Sequence, residues 1–408
     1  MRPRVVLYTH SAVLAPALSL AHALSQRSEC HLLLELGPAT WRMELLDQAP
    51  DGVGPGIVPA EPVIGPAFPA AVRAQWRDLA SFRLVVHHTA RAVQPASWRL
   101  SRQVVRAVRQ LQPDVVHFDD VSRRMVPALP GLHGLPVVLS LHDPAFHSGE
   151  TTWRGDLFRR LLLRRATRVV LHNRQHVPSF CARYGIPAER VAVVHLGSYR
   201  IARLWAERSC QAPPADRPTV LFFGRLSPYK GLDVLLQAAP HVAARVPGVR
   251  FVVAGQPVPG YRVPALPALP NGACIDLLDQ YIPSAQVAAL FASASVVACP
   301  YVDATQSGVV LTAYAFERPV VATTVGGLPE YVRHDETGLL VPPGDPQALA
   351  EALVRVLQDE GLQARLRQGV RLATAGAFNW NRAADETLEV YSRARPEPIL
   401  RPPHGATG

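Results

Sequence analysis

The loop at residues 222–231, FFGRLSPYKG, carries two cations of different shape, Arg225 and Lys230. Lys230 is the only lysine in a chain whose lysines and arginines together number 42. An ammonium is a compact point charge and a guanidinium is a planar fork, so together they suit a diphosphate better than a single phosphate. Taken alone, the pair also fits cations that cap a sheet or bridge a surface carboxylate, and a lone lysine also fits chance in an arginine-rich composition.

The sequence around this loop predicts the elements that position the two cations. TVLFF, ending at Phe223, has the pattern of a buried strand, and a helical pattern begins near Leu232. Lys230 is therefore expected at a helix N-terminus, at the carboxyl edge of a parallel sheet, where free N–H groups and the helix dipole favour an anion. Gly224 ends the strand and belongs to the same predicted site.

A second stretch, residues 300–332, has a similar form. A strand end leads through a polar turn at 303–307 into a helix at 308–316, and a second strand and a Gly-Gly turn follow. Small residues where the helix begins would let its backbone approach the oxygens of a ligand.

Short β-branched runs alternate with longer helical patterns along nearly the whole chain. Continuous apolar strands separated by helices are typical of parallel sheets covered on both faces, and two such series predict two doubly wound, Rossmann-like α/β domains facing a cleft. We predict the following divisions: a first domain at 1–206, a linker at 207–217, a second domain at 218–377, a helix at 378–394 that returns to the first domain, and a flexible tail at 395–408.

The composition favours acidic partners. The formal net charge is +10 at pH 7 and the isoelectric point is near 9.8, which suits nucleotides, phosphates or anionic lipid. Nucleic acid is disfavoured, because no basic run interleaved with aromatic residues and no zinc-finger spacing occurs. The five cysteines are scattered without a CxxC pair, which is typical of reduced cysteines in a cytoplasmic protein and predicts neither a disulfide framework nor a zinc site.

The N-terminal segment imitates a secretory signal, with basic residues followed by an apolar stretch. His10, Pro16 and His22 interrupt that stretch, which favours a buried strand followed by a helix. No later segment holds about 18 uninterrupted apolar residues, so the sequence predicts no membrane span and a cytoplasmic location.

Several motifs resemble those of the retaining nucleotide-sugar glycosyltransferases of family 4, which have the GT-B fold. GRLSPYKG is similar to the family's GR-x(4)-KG loop. ERPVVATTVGGLPEYV, followed by TGLLVPPGDPQALAEAL, is similar to its closing segment. LSLHDPAFHSGE, at 139–150, resembles its histidine loop. The likeness is most specific over residues 216–392 and patchier in the first half.

The resemblance implies an enzyme that moves a hexosyl-type sugar from a nucleotide-diphosphate donor to a hydroxyl acceptor, with retention of anomeric configuration. It implies that Arg225 and Lys230 hold the diphosphate as the nucleotide leaves, and that His142 contacts the donor sugar. The nucleotide-sugar is a co-substrate, and neither a required divalent metal nor another cofactor is expected. The expected acceptor is a glycan or a lipid-linked molecule, in the synthesis of cell-surface polysaccharide or glycolipid.

The remaining candidate residues divide between the two sides of the predicted cleft. The donor side, beside Gly224, Arg225 and Lys230, comprises Asp303, Gln306, Ser307, Gly308 and Thr312. The acceptor side comprises His10, Asp143 and His147.

The chain departs from the family pattern at two glutamates. Thr312 replaces the one that anchors the nucleotide ribose, and Ala304 replaces the one beside the donor sugar. Gln306, Ser307 and the backbone N–H of Gly308 are expected to take over there. Two alternatives therefore stay open: a catalytically weakened sugar-nucleotide-binding protein, and a nucleotide-sugar epimerase on the same scaffold.

The segment 153–168, WRGDLFRRLLLRRATR, contains six arginines. One interpretation is an ordinary helix with its leucines against the sheet and its arginines in water. The other is a basic face that lies on anionic membrane and brings the enzyme to lipid-linked acceptors, which predicts a peripheral location at the inner face of the cell membrane.

Overall fold

The computed structural model describes residues 2–38, 53–89, 94–145, 153–205 and 217–394. Its strands form two sheets. The first sheet contains β1 (Arg4–His10), β2 (Glu29–Leu36), β3 (Gly56–Pro59), β4 (Ser81–Val86), β5 (Val115–Asp119), β6 (Val137–Leu141), β7 (Arg168–Leu171) and β8 (Val191–Val193). The second contains β9 (Thr219–Phe223), β10 (Arg250–Ala254), β11 (Cys274–Leu278), β12 (Val296–Cys299), β13 (Val320–Thr323) and β14 (Gly338–Val341).

The strand orders confirm the prediction of two parallel α/β sheets. The first sheet runs β3-β4-β2-β1-β5-β6-β7-β8 and the second β11-β10-β9-β12-β13-β14. Each described pair of neighbours is parallel except for the edge strand β3, which lies antiparallel to β4. The carboxyl ends of the parallel strands in a sheet therefore meet at one edge, which is where open α/β sheets bind ligands.

Helices cover both faces of each sheet, because central strands such as β1 are apolar on both sides. In β1, Val5 and Leu7 pack into one core cluster while Val6 and Tyr8 pack into another. The helices are α1 (Leu14–Ser25), α2 (Ala60–Ile64), α3 (Ala70–Ala74), α4 (Pro95–Gln110), α5 (Trp153–Arg165), α6 (Val177–Tyr184), α7 (Arg200–Leu204), α8 (Leu232–Arg245), α9 (Ser284–Ser293), α10 (Gly308–Ala315), α11 (Leu328–Tyr331), α12 (Pro346–Gln358), α13 (Glu360–Ala375) and α14 (Trp380–Ala394).

The final helix, α14, lies against α1 and the first sheet although it follows the second domain in the chain. Arg27 at the end of α1 pairs with Asp385, at 2.6 Å between Nε and Oδ1. The hydroxyl of Tyr391 is 2.7 Å from Nδ1 of His117 in β5. Residues 206–216 and 395–408, which include nearly all of the predicted linker and the predicted tail, lie outside the described residues.

Within the described ranges, no helix combines the length and the apolar character that crossing a membrane requires.

Candidate functional site

The carboxyl edge of the first sheet carries a row of ionisable side chains. They occupy one of the last two residues of a strand or one of the two residues after it, and they are His10 (β1), Glu35 (β2), His87 (β4), Asp119 (β5), His142 (β6), His172 (β7) and His195 (β8). Because the parallel strands end together, the sequence needs only one polar residue per strand end to build a continuous polar edge.

His142 forms a buried ion pair with Asp119 from the neighbouring strand. The two side chains are each 4% exposed, and His142 Nε2 is 2.9 Å from Asp119 Oδ1. Burial alone would lower the pKa of His142, but the charge and hydrogen bond of Asp119, with Asp120 and Asp143 nearby, raise it to about 9. His142 is therefore an imidazolium at neutral pH.

His172 is held in the opposite, neutral state beside His142. The two ring centroids are 4.7 Å apart. Nδ1 of His172 is 2.9 Å from the carbonyl oxygen of Val194, which can only accept, so Nδ1 carries the hydrogen. Burial and the charge of His142 lower the pKa of His172 to about 3. At this edge of the first sheet, the imidazolium of His142 therefore lies against the neutral imidazole of His172.

Replacing Asp119 with asparagine is expected to bring the pKa of His142 from about 9 to about 6.5 or lower, because burial then opposes the charge with less compensation. Since the folded pKa exceeds the unfolded value, the ion pair's stabilisation is complete below about pH 6.5 and is lost as pH rises towards 9. Urea unfolding at a series of pH values, with NMR titration of His142, should show this decline in the wild type and not in Asp119→Asn. A wild-type titration of His142 near pH 6 would contradict the assignment.

Glu35, Arg124, Tyr8 and Ser122 form a second buried ionic cluster at the same edge. The guanidinium of Arg124 donates to Glu35 at 2.7 Å, and the hydroxyls of Tyr8 and Ser122 donate to the same carboxylate at 2.7 and 2.5 Å. Burial would raise the pKa of Glu35, but His87 and Arg124 lower it. These contacts stabilise Glu35 as a carboxylate.

The predicted diphosphate loop lies at the carboxyl edge of the second sheet. Gly224 adopts a φ of +114°, Arg225 is exposed and Lys230 is 9% exposed. Nζ of Lys230 lies 3.9 Å from the centroid of the Tyr301 ring and 5.1 Å from that of Tyr229. The loop therefore presents one open guanidinium and one enclosed ammonium.

The backbone fixes the position of Lys230. Gly231 adopts a φ of +70°, and a Cβ there would lie 1.9 Å from the carbonyl oxygen of Pro300. A side chain at position 231 would therefore push the loop away from the end of β12, where the backbone N–H of Val302 donates to the carbonyl oxygen of Tyr229 at 2.9 Å, and α8 begins directly after the loop.

The second predicted stretch contacts the same tyrosine. Ser307 caps α10, with its Oγ 3.4 Å from the backbone nitrogen of Val310, and that Oγ is 3.2 Å from the hydroxyl of Tyr301. The structure thus brings Lys230 and Ser307, 77 residues apart in the sequence, onto one aromatic side chain.

The other donor-side candidates surround the start of α10. Asp303, Gln306 and Gly308 are half-buried, and the Oε1 atom of Gln306 is buried without a hydrogen-bond partner among the described residues. The hydroxyl of Thr312 donates to the carbonyl oxygen of Gly308 at 2.8 Å. Its hydrogen is used inside the helix, so towards a ligand this hydroxyl is an acceptor.

Thr305 links the acceptor-side loop to this stretch. Its hydroxyl donates to Oδ1 of Asp143 at 2.5 Å, and the amide of Asn173 donates to its carbonyl oxygen at 2.8 Å. Asp143 follows His142 in the chain, so this contact joins the carboxyl edge of the first sheet to the loop that precedes α10.

Glu330 makes a charged contact between the two halves of the chain. Its carboxylate accepts the backbone N–H groups of Arg174 and Gln175 at 2.7 and 2.9 Å, and Oε2 lies 2.9 Å from Nε2 of His195. Burial would raise the pKa of Glu330, but the Arg174 and Gln175 N–H groups and His195 lower it. This ionised side chain connects the second domain to the ends of β7 and β8.

Two of the three acceptor-side candidates, His10 and Asp143, lie within the described residues and have different partners. His10 lies 3.9 Å from Asp120, measured from Nε2 to Oδ2, whereas Asp143 turns towards Thr305. His147 lies outside the described residues. Among the residues that the structure does describe, no group of three or more His, Cys, Asp or Glu side chains is arranged to hold a metal ion.

Sequence reasoning missed Asp119, Asn173, Thr305 and Glu330. Asp119 and Asn173 could have been found, because each stands at or just after the end of a predicted strand, in DVVHFDD and RVVLHN. Glu330 lies in the first turn of the short helix α11. Its contacts to the other domain had no signal in the local sequence.

Two family models and several sequence relatives match this chain to glycosyltransferases. The model described as Glycosyl transferases group 1 matches residues 217–359, and that described as Glycosyltransferase Family 4 matches residues 17–197. A D-inositol 3-phosphate glycosyltransferase from a Nocardioides species is 31% identical over 329 residues, covering 73% of this chain and 71% of that protein. Other relatives with the same name align over about half of their length.

Solved structures of low sequence identity share the fold. The Anabaena protein HepE, in complex with UDP and glucose, superposes with a TM-score of 0.66 at 18% identity, covering 96% of this chain and all of that one. A structure described as a putative UDP-N-acetylglucosamine 2-epimerase from Listeria monocytogenes superposes with a TM-score of 0.60 at 12% identity, covering 96% of each chain. The GT-B architecture is thus shown.

Proposed function

This chain belongs to the family 4 glycosyltransferases, and we propose that it transfers a sugar from a nucleotide-diphosphate donor to a hydroxyl acceptor with retention of anomeric configuration. One observation carries the proposal: Lys230 and the N-cap of α10 meet on Tyr301 at the carboxyl edge of the second sheet. HepE, which has the same fold, was solved with UDP and glucose, and this supports a donor of that class.

The proposed mechanism uses attack on the face that the nucleotide leaves. The bond between the anomeric carbon and the diphosphate oxygen breaks, and the acceptor oxygen forms its bond on the same face. The acceptor proton passes to the departing phosphate oxygen. Arg225, Lys230 and backbone N–H groups at the start of α10 stabilise the negative charge that develops on the diphosphate. No protein nucleophile is assigned.

His142 has a separate task in this proposal. It is the imidazolium of the first sheet's carboxyl edge, and Asp119 fixes its orientation at 2.9 Å. A cation at this point would contact a hydroxyl of the donor sugar and counter the charge of the neighbouring carboxylates. His10, Asp143 and His147 are assigned to the acceptor side.

The acceptor is proposed to be a glycan or lipid-linked molecule, in the synthesis of a cell-surface polysaccharide or glycolipid. The relatives named D-inositol 3-phosphate glycosyltransferase make a phosphorylated cyclitol a further acceptor to include in a screen. The proposed location is cytoplasmic, peripheral at the inner face of the membrane.

Calorimetric titration with UDP, GDP, ADP and TDP, without added metal, tests the donor site and names the base. A donor screen follows, with the anomeric configuration of the product read by NMR coupling constants. Selective binding and a product that keeps the donor's configuration are expected. An inverted product would overturn the retaining mechanism, and absence of binding to any nucleotide would overturn the donor site.

A sugar-nucleotide-binding protein with weakened catalysis is the second candidate, because Ala304 and Thr312 supply no carboxylate. Thr312 can accept a hydrogen bond from a ribose hydroxyl but brings no charge. Tight nucleotide binding without turnover across varied acceptors would favour this candidate. Epimerisation of the donor sugar in the absence of acceptor would instead favour an epimerase, a class that shares the fold.

A further inference from the structure

The exposed face of α4 is strongly cationic. Arg99, Arg102 and Arg106 are exposed, and Trp98 beside them is 44% exposed. The helix sequence, PASWRLSRQVVRAVRQ, contains no acidic residue. At 3.6 residues per turn the three arginines fall within a sector of about 60° and extend over about 10 Å of the helix, with Trp98 at one side.

These three arginines have no partner within the described part of the chain: none of the described hydrogen bonds or ion pairs involves them. Arg109, one turn further on, differs because it donates to the carbonyl oxygens of Gly131 and His133 at 2.7 and 2.8 Å. Among the residues that the structure describes, nothing therefore compensates the charges of the α4 face.

The arginine-rich helix α5 contrasts with α4. Arg159 donates to the carbonyl oxygen of Pro144, Arg160 pairs with Asp156 at 2.9 Å, and Arg165 donates to the carbonyl oxygen of Leu135 at 2.7 Å. Three of the six arginines of segment 153–168, the other candidate membrane surface, thus make contacts within the domain.

We infer that the exposed face of α4, formed by Trp98, Arg99, Arg102 and Arg106, docks on the surface of an anionic phospholipid membrane. An arginine sector on a convex helix complements lipid phosphates, and an exposed tryptophan at its side suits the interface between headgroups and acyl chains. The buried side of the helix, with Leu100 and Val104, packs into the core, so the helix can bind without leaving the domain.

The position of α4 relates this surface to the catalytic cleft. The helix connects β4 to β5, so it runs antiparallel to the strands and its N-terminal end lies at the level of their carboxyl edge. The hydroxyl of Ser101 donates to the carbonyl oxygen of Arg124 at 2.6 Å, in the turn after β5. Docking there would present the acceptor side of the cleft to the membrane. That advantage rests on the proposed function, namely a lipid-linked acceptor, whereas the docking itself does not depend on the identity of the acceptor.

The test is sedimentation of the full chain with vesicles of phosphatidylcholine alone or with about one third phosphatidylglycerol. Replacing Arg99, Arg102 and Arg106 together with glutamine should lower partitioning into the anionic vesicles about a hundredfold, since each arginine contributes about 1 kcal/mol, or about fivefold. Trp98→Phe should remove the blue shift of tryptophan fluorescence that the anionic vesicles cause in the wild type.

The matched control replaces three exposed arginines of the second domain, Arg245, Arg262 and Arg365, with glutamine. It removes the same charge and should leave vesicle binding within about twofold of wild type. An equal loss in both triple variants would assign binding to net charge and overturn the inference. Failure of the wild-type protein to bind anionic vesicles would also overturn it. The same holds if the α4 triple variant loses affinity for a DNA oligonucleotide but keeps its affinity for vesicles.

Nucleotide affinity separates this inference from the proposed function. The α4 triple variant should bind its nucleotide as the wild type does, which also shows that it is folded. Vesicle binding without nucleotide binding would overturn the proposed donor site and leave the docking surface standing. Nucleotide binding without vesicle binding would overturn the docking surface alone.

Discussion

Lys230→Arg is expected to lower affinity for the preferred nucleoside diphosphate at least tenfold, which is about 1.4 kcal/mol. The substitution keeps the positive charge and changes only its shape. Lys230 is 9% exposed and its Nζ lies 3.9 Å from the centroid of Tyr301, so a planar guanidinium does not fit in the space of the ammonium. The loop is tied to the segment after β12, because the backbone N–H of Val302 donates to the carbonyl oxygen of Tyr229 at 2.9 Å.

Two further variants separate shape from charge. Lys230→Met removes the charge at nearly constant volume and should weaken binding at least as much as Lys230→Arg. Arg225→Lys exchanges the exposed cation of the same loop, where there is room for either shape, and should cost less than Lys230→Arg. Calorimetric titration of the four proteins measures these differences. Equal nucleotide affinity of the wild type and Lys230→Arg would show that the site does not require a lysine at position 230, and that its occurrence there is due to chance.

The sequence allowed the strand and the helix around Arg225 and Lys230 to be predicted. Arg225 and Lys230 lie in one loop between a strand and a helix, and both elements have clear periodicity, so their placement at a sheet edge followed from the pattern. The direction of the Thr312 hydrogen bond did not follow, because a helical threonine can turn its hydroxyl either to solvent or to the carbonyl one turn back.

Two strands of the first sheet, β3 and β4, were not predicted from the sequence. β3 is a four-residue, half-buried edge strand, and β4 begins with partly exposed residues around Arg83, so neither shows the continuous apolar run of a central strand. The parallel series of β1, β5, β6 and β7 was recognisable, since each of these strands is a short, mostly buried run that contains consecutive valines.

The contacts between the domains could not be predicted from the sequence. Asn173 and Thr305 are 132 residues apart, and Arg174 and Glu330 are 156 apart. Asn173, Arg174 and Thr305 lie in short polar segments between elements, and Glu330 lies in the four-residue helix α11. None of these segments has a periodicity that indicates its partner. Only the relative placement of two complete sheets brings these turns together.

Glu330→Gln is expected to lower the rate of sugar transfer about 10- to 100-fold, since hydrogen bonds to a charged group contribute about 1.5–3 kcal/mol and part of that is lost with the charge. Glu330 holds the turn after β7 through the N–H groups of Arg174 and Gln175. The same turn contains Asn173, which holds the carbonyl of Thr305 just ahead of α10. Losing the carboxylate should therefore loosen the alignment of the two halves of the cleft.

This prediction has a signature that separates alignment from ligand binding. Nucleotide affinity should stay within about twofold of wild type, because Arg225 and Lys230 lie on another loop, while kcat falls and the ratio of donor hydrolysis to transfer rises as water enters a poorly closed cleft. Glu336→Gln is the matched control, since Glu336 is exposed and its ion-pair partner, Arg333 at 3.5 Å, belongs to the same domain. A parallel loss of nucleotide affinity and kcat would show that Glu330 acts on the ligand rather than on domain alignment. Unchanged kcat in Glu330→Gln would show that the alignment of the domains depends on the apolar contacts and Thr305, and not on this charge.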